Sequence, residues 1–327
     1  MSVVTVPAAP LDLSSPQRLH VVGVGGPGMS AIAIVLAEMG HRVSGSDLRE
    51  RPILDRLRAG GVEVHVGHHR EIVDGCDAVT YSTAIPDRNV ELEHARTTDV
   101  TLLRRAGMLA SICAQAKSLA VAGTHGKTTT TSMLMLVLAE AGLAPSFVIG
   151  GDVTDTGTGA QWTGGEWLVV EADESDGTHL ELPLFGTILT NVEVDHLDHY
   201  GSFEAIVDGF DRYLAQVPGP RVVCADDPVC RDLAARHRSD GSGVLTYGTA
   251  DDADVRAVDV TARDGSVSFA IERGGQRLGT IDLPLRGIHN VRNATAVVAM
   301  ALEIGVAFPV IASALARMRS ARNTRVT

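Results

Sequence analysis

Two glycine-rich segments, each lying between a short apolar run and a helical pattern, constrain this chain more than any other feature. The first is residues 23–28, GVGGPG, and the second is residues 123–128, GTHGKT. An apolar strand, a glycine turn and a helix form the first half of a β-α-β unit, in which helices cover parallel strands. The recurrence of this order predicts an α/β fold with two parallel sheets.

Seven short apolar runs have the length of buried strands and are bounded by turn residues. These predicted strands are Leu19–Val22, Arg42–Val43, Ala78–Tyr81, Ser118–Ala122, Trp167–Val170, Thr187–Thr190 and Arg221–Cys224. Residues 254–283 instead alternate apolar and polar side chains, with turns at Asp264–Gly265 and Gly274–Gly275, which predicts antiparallel hairpins. Because a strand and loop signature restarts after Gln115, we expect a Rossmann-like domain over residues 1–115. A P-loop-type domain with a small antiparallel element is expected over residues 116–327.

Composition and charge exclude several classes of function. The chain has 327 residues and a formal net charge of -12, so it lacks the excess of basic residues that binding to nucleic acid or an anionic membrane requires. It contains no apolar run of membrane-spanning length. Its four cysteines show no zinc-binding spacing, which is typical of the reducing cytoplasm. We therefore expect a cytoplasmic protein that neither binds nucleic acid nor inserts into a membrane.

The first glycine-rich segment matches the pattern G-x-G-x-x-G in the context that this pattern needs. It follows the predicted strand Leu19–Val22 and opens an apolar helix from Met29 to about Met39. Asp47 comes at the end of the next predicted strand, about where a Rossmann fold places the acid that binds a ribose hydroxyl. The pattern indicates a site for a nucleotide diphosphate at a helix N-terminus, with a tight turn lacking a ligand as the alternative. It does not choose between NAD and a UDP-sugar.

The second glycine-rich segment resembles a P-loop shortened to G-T-x-G-K-T. The longer form would need glycine at position 121, where this chain has Val121. We expect Lys127 to contact the β- and γ-phosphates of ATP and the Thr128 hydroxyl to bind Mg²⁺. Lysine occurs in this chain only at positions 117 and 127, so a lysine at the position that the mechanism requires favours nucleotide binding.

Acidic and histidine residues follow two of the predicted strands, at the sheet edge where α/β proteins bind ligands. Oxygen donors with an imidazole suit Mg²⁺ held jointly with phosphates, so Thr128, Glu171 and His196 are the predicted metal ligands. A solvated acidic loop stays open as the alternative for Glu174, Asp176 and Asp198. His199 is expected to be a surface or structural residue.

Seven motifs occur in the order found in the Mur ligase family of cell-wall enzymes, and the chain resembles that family over essentially its whole length. They occupy residues 23–30, 44–47, 81–85, 123–128, 171–176, 190–196 and 289–293. The sequences GTHGKT and EADESD resemble both the alanine-adding and the muropeptide-recycling branches of the family, and the loop GGPGMS favours the alanine-adding branch.

The resemblance implies that the first domain binds UDP-N-acetylmuramate. Its contacts would come from Gly25, Gly26, Gly28, Asp47, His68, Ser82, Thr83 and Arg105. ATP would bind to Gly123, Thr124, His125, Gly126, Lys127, Thr128 and Thr129. Asn290 and Asn293 would contact the adenine, because an amide pairs with a donor and an acceptor on one base edge. A helix cap is the alternative for Asn293.

The same resemblance implies a mechanism. The muramate carboxylate attacks the γ-phosphate of ATP to give an acyl phosphate, and the amine of L-alanine then displaces phosphate. Lys127, together with Mg²⁺ held by Thr128, Glu171 and His196, would offset the repulsion between the two anions.

Family members continue with a third domain that supplies the amino-acid contacts, and this sequence stops about where that domain would begin. We therefore expect that the chain does not form the amide bond unaided. Two other functions stay open from the sequence: an NAD-dependent oxidoreductase, and a non-catalytic nucleotide-binding protein descended from such a ligase.

Overall fold

The first part of the chain forms a parallel sheet. The computed structural model describes residues 9–149, 158–195, 200–238 and 243–318. In this part of the chain the strands are β1 (Arg18–Val22), β2 (Arg42–Asp47), β3 (Glu63–Val66), β4 (Ala78–Tyr81) and β5 (Thr101–Arg104). Every neighbouring pair is parallel, and the strand order is β3-β2-β1-β4-β5.

Helices connect these strands and place the first glycine-rich loop at the centre of the sheet edge. They are α1 (Pro27–Glu38), α2 (Pro52–Ala59), α3 (Val90–Ala95) and α4 (Arg105–Cys113), with a short 3₁₀ helix at Arg70–Val73. The helix α1 begins at Pro27, whose missing N–H costs nothing in the first helical turn. The loop before α1 follows β1, beside which the strand order changes direction, and open α/β sheets bind ligands at such a point.

The second sheet is mixed and surrounds the second glycine-rich loop. Its strands are β6 (Lys117–Ala122), β7 (Ser146–Val148), β8 (Ala160–Gln161), β9 (Trp167–Glu171), β10 (Gly186–Leu189), β11 (Arg221–Cys224), β12 (Val244–Gly248), β13 (Val255–Arg263), β14 (Ser266–Arg273) and β15 (Gln276–Leu283). The order is β15-β14-β13-β12-β11-β10-β6-β9-β7-β8. Since β6 is parallel to both β9 and β10, the carboxyl ends of these three strands lie together.

Most helices of this second part are longer than those of the first. They are α5 (Lys127–Glu140), α6 (Phe203–Gln216), α7 (Pro228–Arg238), α8 (Ile288–Glu303) and α9 (Phe308–Ala316), with a 3₁₀ helix at Thr178–Glu181. The helices α5 and α8 contact each other, and most residues of both are buried. Among the described residues, no helix combines the length and apolar character needed to cross a bilayer.

The structure confirms the predicted fold class and all seven predicted strands, several of them longer by one to four residues. The predicted hairpins are confirmed as β13, β14 and β15, with antiparallel pairing on both sides of β14. These hairpins extend the second parallel sheet, because β13 pairs with β12 in parallel. The domain boundary near Gln115 stays a prediction.

The two sheets are packed against each other through α1. This helix contacts β7 and β8 of the second sheet, and the Glu38 carboxylate accepts a hydrogen bond from the backbone N–H of Trp162. One continuous cluster of buried apolar side chains includes residues of both sheets. Both glycine-rich loops therefore belong to one packed body.

A buried histidine is joined to the acidic segment that follows β9, because the backbone N–H of His179 donates to the carbonyl of Asp173 at 3.0 Å. The ring of His179 is 1% exposed and lies 5.3 Å from the rings of both Phe210 and Tyr213. Neither ring nitrogen has a hydrogen-bond partner among the described residues. Burial lowers the pKa of His179 from 6.5 to about 4, because the apolar surroundings disfavour the charged ring.

This buried histidine predicts a loss of stability in mild acid. Below pH 6.5 the unfolded chain binds a proton at His179 that the folded chain does not bind until about pH 4. The free energy of unfolding therefore decreases as the pH is lowered through this window. Between pH 7.5 and 5.0 we expect His179 to contribute a decrease of about 2 kcal/mol in the free energy of unfolding. His179→Leu should remove that part of the decrease in urea titrations.

The matched control is His125→Leu, because the His125 side chain is 65% exposed. It should keep the pH dependence of the unmodified protein. An unchanged slope in His179→Leu would contradict the assignment of the acid sensitivity to the buried ring.

Candidate functional site

The first glycine-rich loop is held by the end of β2. The backbone N–H groups of Gly23 and Val24 donate to the carbonyl of Ser46, and the N–H of Gly25 donates to Oδ2 of Asp47 at 2.9 Å. A Cβ atom on Gly25 would lie 2.7 Å from that Oδ2, so this close approach requires glycine. Asp47 lies at the predicted edge position, and its carboxylate also fixes the shape of the loop.

The start of α1 leaves backbone donors facing the sheet edge. The first intrahelical hydrogen bond runs from the N–H of Ser30 to the carbonyl of Gly26, so the N–H groups of Gly28 and Met29 precede the helical ladder. Such donors, with the helix dipole, favour an anion. Arg105 adds a positive charge here, because its Nη1 lies 3.3 Å from the Cβ position of Gly28.

The other predicted contacts of the first domain lie along the same edge. Ser82 and Thr83 directly follow β4, half-buried and exposed respectively. His68 follows β3, and its Nδ1 lies 3.0 Å from the hydroxyl of Ser46. The structure therefore brings these residues to the edge where the first loop lies.

The second glycine-rich loop is shaped by the residues after β10. Asn191 accepts from the N–H of His125 through its side chain at 2.9 Å and from the N–H of Thr124 through its carbonyl at 3.0 Å. Gly123 has φ +120°, and a Cβ atom there would collide with Thr190. Only glycine adopts this backbone readily, so the loop conformation depends on Gly123 and on the neighbouring strand.

Lys127 is paired inside the protein. Its Nζ donates to the carbonyl of Gly123 at 2.6 Å and to both carboxylate oxygens of Glu174, at 2.8 and 2.9 Å. The side chains of Lys127 and Glu174 are 17% and 4% exposed. Glu174 is therefore not part of a solvated loop, which corrects that alternative for this residue.

Arg105 joins the two halves of the site. It is the first residue of α4, and its Nη2 donates to Asp173 and to Asp176 at 3.0 Å each. Burial disfavours its charge, but the two carboxylates outweigh this effect and raise the pKa of Arg105. Asp176 is therefore also paired rather than solvated.

A cavity of about 140 Å³ lies between the two loops. Arg105 and Lys127 both line it, so two cationic side chains from the two sheets face one space. The rest of its lining is Gly28, Ala31, Ile32, Leu109, Val148, Ile149, Glu171 and Asp173. A larger cavity of about 400 Å³ lies beside it, between α1, α2 and β8, and includes Gly25.

Two of the three predicted metal ligands lie within the described residues. Thr128 is an exposed residue of the first turn of α5, and Glu171 ends β9, the strand paired with β6. His196 lies outside the described residues, as do Asp198 and His199. In the described ranges no group of three or more His, Cys, Asp and Glu side chains is arranged to hold a metal.

Asn290 and Asn293, the predicted adenine contacts, lie in the first turns of α8 beside the second loop. A Cβ atom on Gly126 would be 2.8 Å from Oδ1 of Asn293. Asn290 accepts from Nδ2 of Asn293 at 3.4 Å. Arg292 anchors this helix, since its Nε donates to Asp226 at 2.6 Å.

Sequence reasoning missed the residues that act across the fold. Glu91, a fully buried carboxylate, lies behind His68 and Ser46, and Asn191 shapes the second loop. Asn191 lies in the motif of residues 190–196, from which only the metal ligand His196 is predicted. Nothing in the sequence around Glu91 distinguishes it from an exposed helical acid.

Comparisons with known proteins agree on one family. Residues 121–301 match the model of the Mur ligase middle domain, and residues 18–117 match that of the Mur ligase family, catalytic domain. The UDP-N-acetylmuramate--L-alanine ligase of Bradyrhizobium diazoefficiens is 44% identical over 91% of this chain and 65% of its own length. The enzyme of that name from Acidothermus cellulolyticus is 45% identical over 96% of this chain and 66% of its own length. This chain thus spans about two thirds of the length of these relatives.

Solved structures give the same result for the fold. The UDP-N-acetylmuramate-alanine ligase MurC from Thermotoga maritima superimposes with a TM-score of 0.81 and 29% identity, over 93% of this chain and 69% of that one. The UDP-N-acetylmuramate:L-alanyl-gamma-D-glutamyl-meso-diaminopimelate ligase from Neisseria meningitides gives a TM-score of 0.84 and 27% identity. That match covers 94% of this chain and all of the other.

The pairing of Lys127 bears on the ATP binding that the sequence predicts for the second loop. A triphosphate that contacts Lys127 has to replace a buried carboxylate as its partner, and breaking a buried ion pair costs free energy. Glu174→Gln removes this competitor, so we expect Mg·ATP to bind about fivefold more tightly, or about 1 kcal/mol. Isothermal titration calorimetry measures this change.

Glu166→Gln is the matched control, because Glu166 pairs with the other lysine, Lys117, in an exposed contact at the opposite end of β6. It should leave ATP affinity unchanged. Weaker ATP binding in Glu174→Gln would show that this carboxylate assists the ligand rather than competing with it.

Proposed function

This chain belongs to the Mur ligase family, and from that membership we propose that it serves in the ATP-dependent ligation of L-alanine to UDP-N-acetylmuramate. The reaction belongs to peptidoglycan precursor biosynthesis. The observation that supports the proposal is the cavity that Arg105 and Lys127 line together, because it brings the two glycine-rich loops of different sheets to one place. The names of relatives 44% and 45% identical to this chain supply the substrates.

UDP-N-acetylmuramate would bind along the edge of the first sheet. Its diphosphate would face the N-terminus of α1, where Gly28 and Met29 present backbone donors. The larger cavity beside Gly25 gives room for the sugar between α1 and the second sheet. The remaining proposed contacts are Gly26, Asp47, His68, Ser82, Thr83 and Arg105.

ATP would bind to the second loop. Lys127 would contact the β- and γ-phosphates, and the α8 residues Asn290 and Asn293 would contact the adenine. The proximity of Asn293 to Gly126 supports this arrangement, because the base and the phosphates of one nucleotide need neighbouring sites. The remaining proposed contacts are Gly123, Thr124, His125, Thr128 and Thr129.

The described side chains fit Mg²⁺. The Thr128 hydroxyl and the Glu171 carboxylate provide the oxygen ligands that this ion prefers, and phosphate oxygens complete such a site. Glu171 lines the same cavity as Lys127, so the metal would lie near the γ-phosphate. When bound, Mg²⁺ neutralises charge on the phosphates. His196 is proposed as a further ligand from the family resemblance alone.

The protein would promote the reaction by position and charge. Arg105 and Lys127 would hold the sugar carboxylate and the γ-phosphate on either side of one small cavity. The two anions would then react as neighbours and would not need to meet by diffusion. A carboxylate oxygen attacks the γ-phosphorus and ADP leaves. The amine of L-alanine then attacks the acyl carbon, loses a proton, and inorganic phosphate leaves. The cationic side chains stabilise the charge that develops on the phosphoryl oxygens.

A ligand-binding experiment tests the proposal. Lys127→Ala should abolish the rise in Tm caused by Mg·ATP and keep the rise caused by UDP-N-acetylmuramate, because the two loops lie on different sheets. A ligand at 100 times its Kd stabilises a protein by about 2.7 kcal/mol, which gives a measurable rise. Each variant is compared with itself without ligand, since loss of the buried ion pair also lowers Tm.

Lys117→Ala is the control, because this exposed lysine lies at the other end of β6. It should keep both responses. Equal loss of both ligands in Lys127→Ala would contradict the two-site arrangement. A saturable response to NADH, with none to UDP-N-acetylmuramate, would favour an oxidoreductase instead.

A further inference from the structure

Glu91 is a fully buried carboxylate next to the edge of the first sheet. It lies on α3, a helix of six residues, and its side chain is 0% exposed. A buried carboxylate is costly unless it is well hydrogen-bonded, so its partners should explain its position.

Four groups surround this carboxylate. Oε2 accepts from the hydroxyl of Ser46 at 2.7 Å and from Nδ1 of His68 at 3.0 Å, while Oε1 accepts from the backbone N–H of His69 at 3.1 Å. Nε2 of His20 lies 3.5 Å from Oε2. Burial alone would raise the pKa of Glu91, but the nearby His20 ring, the hydrogen bond from Ser46 and the His68 ring outweigh it, so the pKa lies below its ordinary value and the group is ionised.

These partners connect Glu91 to the first glycine-rich loop. Ser46 precedes Asp47, whose carboxylate accepts from the N–H of Gly25. His68 follows Gly67, whose N–H donates to the carbonyl of Asp47 at 2.8 Å. The buried carboxylate therefore lies directly behind the edge at which the proposed function places the UDP-sugar.

The hydrogen bonds determine which nitrogen of His68 carries a proton. The single hydroxyl proton of Ser46 is donated to Glu91, and an ionised carboxylate accepts only. Nδ1 of His68, 3.0 Å from both oxygens, must therefore be the donor. In the neutral ring Nε2 is then a hydrogen-bond acceptor.

We propose that Glu91 is a positioning residue that holds His68 with Nε2 free to accept a hydrogen bond from the nucleoside of the UDP-sugar. The inference rests on the proposed function and adds a specificity element to it. A neutral acceptor suits a ribose hydroxyl or the imide N–H of uracil, and it does not suit a phosphate oxygen, which offers no proton.

A double-mutant cycle tests this role. The affinity of UDP-N-acetylmuramate is measured by calorimetry at pH 8, above the ordinary pKa of a free imidazole, for the unmodified protein, Glu91→Gln, His68→Ala and the double variant. Glutamine preserves the volume of the buried side chain, and its amide can reverse the ring tautomer. We expect Glu91→Gln to weaken binding about tenfold, and to cause no further loss when His68 is already alanine.

Mg·ATP affinity is measured on the same four proteins and should not change, which excludes general damage to the fold. Equal losses from Glu91→Gln in both backgrounds would overturn the proposal, because Glu91 would then support the whole edge rather than His68. Unchanged affinity in Glu91→Gln would also overturn it. If the unmodified protein does not bind UDP-N-acetylmuramate, the proposed function fails, and the ligand assigned to His68 fails with it.

Discussion

The arrangement of the site depends on the carboxylates of residues 171–176. Glu174 holds Lys127, while Asp173 and Asp176 hold Arg105. Between Lys127 and Arg212 the sequence contains no lysine or arginine, so this acidic segment takes its cationic partners from elsewhere. Lys127 comes from the second glycine-rich loop, and Arg105 comes from α4, which directly follows β5 of the first sheet. These two cations balance half of the four carboxylates of the segment, and the same ion pairs fix the distance between the two loops.

The strands that can be predicted are those whose own sequence is a short apolar run. Runs such as Trp167–Val170 are apolar on both faces because both faces of a central parallel strand are covered. The strands β3 (EVHV), β5, β7, β8 and β12 are not among the predicted strands. The first four lie at or near sheet edges and have two to four residues, whereas β12 has five residues and lies inside the second sheet. Pairing with a neighbour determines these strands more than their own pattern does. The hairpins of β13–β15 were predictable from alternation, but their attachment to β12 depends on contacts distant in sequence.

For the site, sequence reasoning located the residues that backbone geometry demands. Gly25 and Gly123 stand where a side chain would collide with a neighbour, and such positions carry a motif. Sequence reasoning could not identify which side chains pair with each other in the folded protein. Glu91 meets Ser46 across 45 positions, and Glu174 meets Lys127 across 47. Glu91 is ordinary in its local sequence, and the motif around Glu174 does not reveal its partner, so only the folded chain distinguishes either carboxylate from a solvated acid.

The bond between Asp47 and Gly25 has a consequence for binding. Because the carboxylate accepts from the backbone N–H of Gly25, the protein itself holds the first loop, and a diphosphate at the proposed site would find less conformational entropy to lose on association. The same negative charge lies beside the anion site and repels an additional charge placed near β2. A nucleotide phosphorylated on its ribose would meet that repulsion, whereas a nucleotide with free hydroxyls would not. In the proposed UDP-sugar site, the carboxylate that holds the backbone would thus also disfavour nucleotides with an extra phosphate on the ribose.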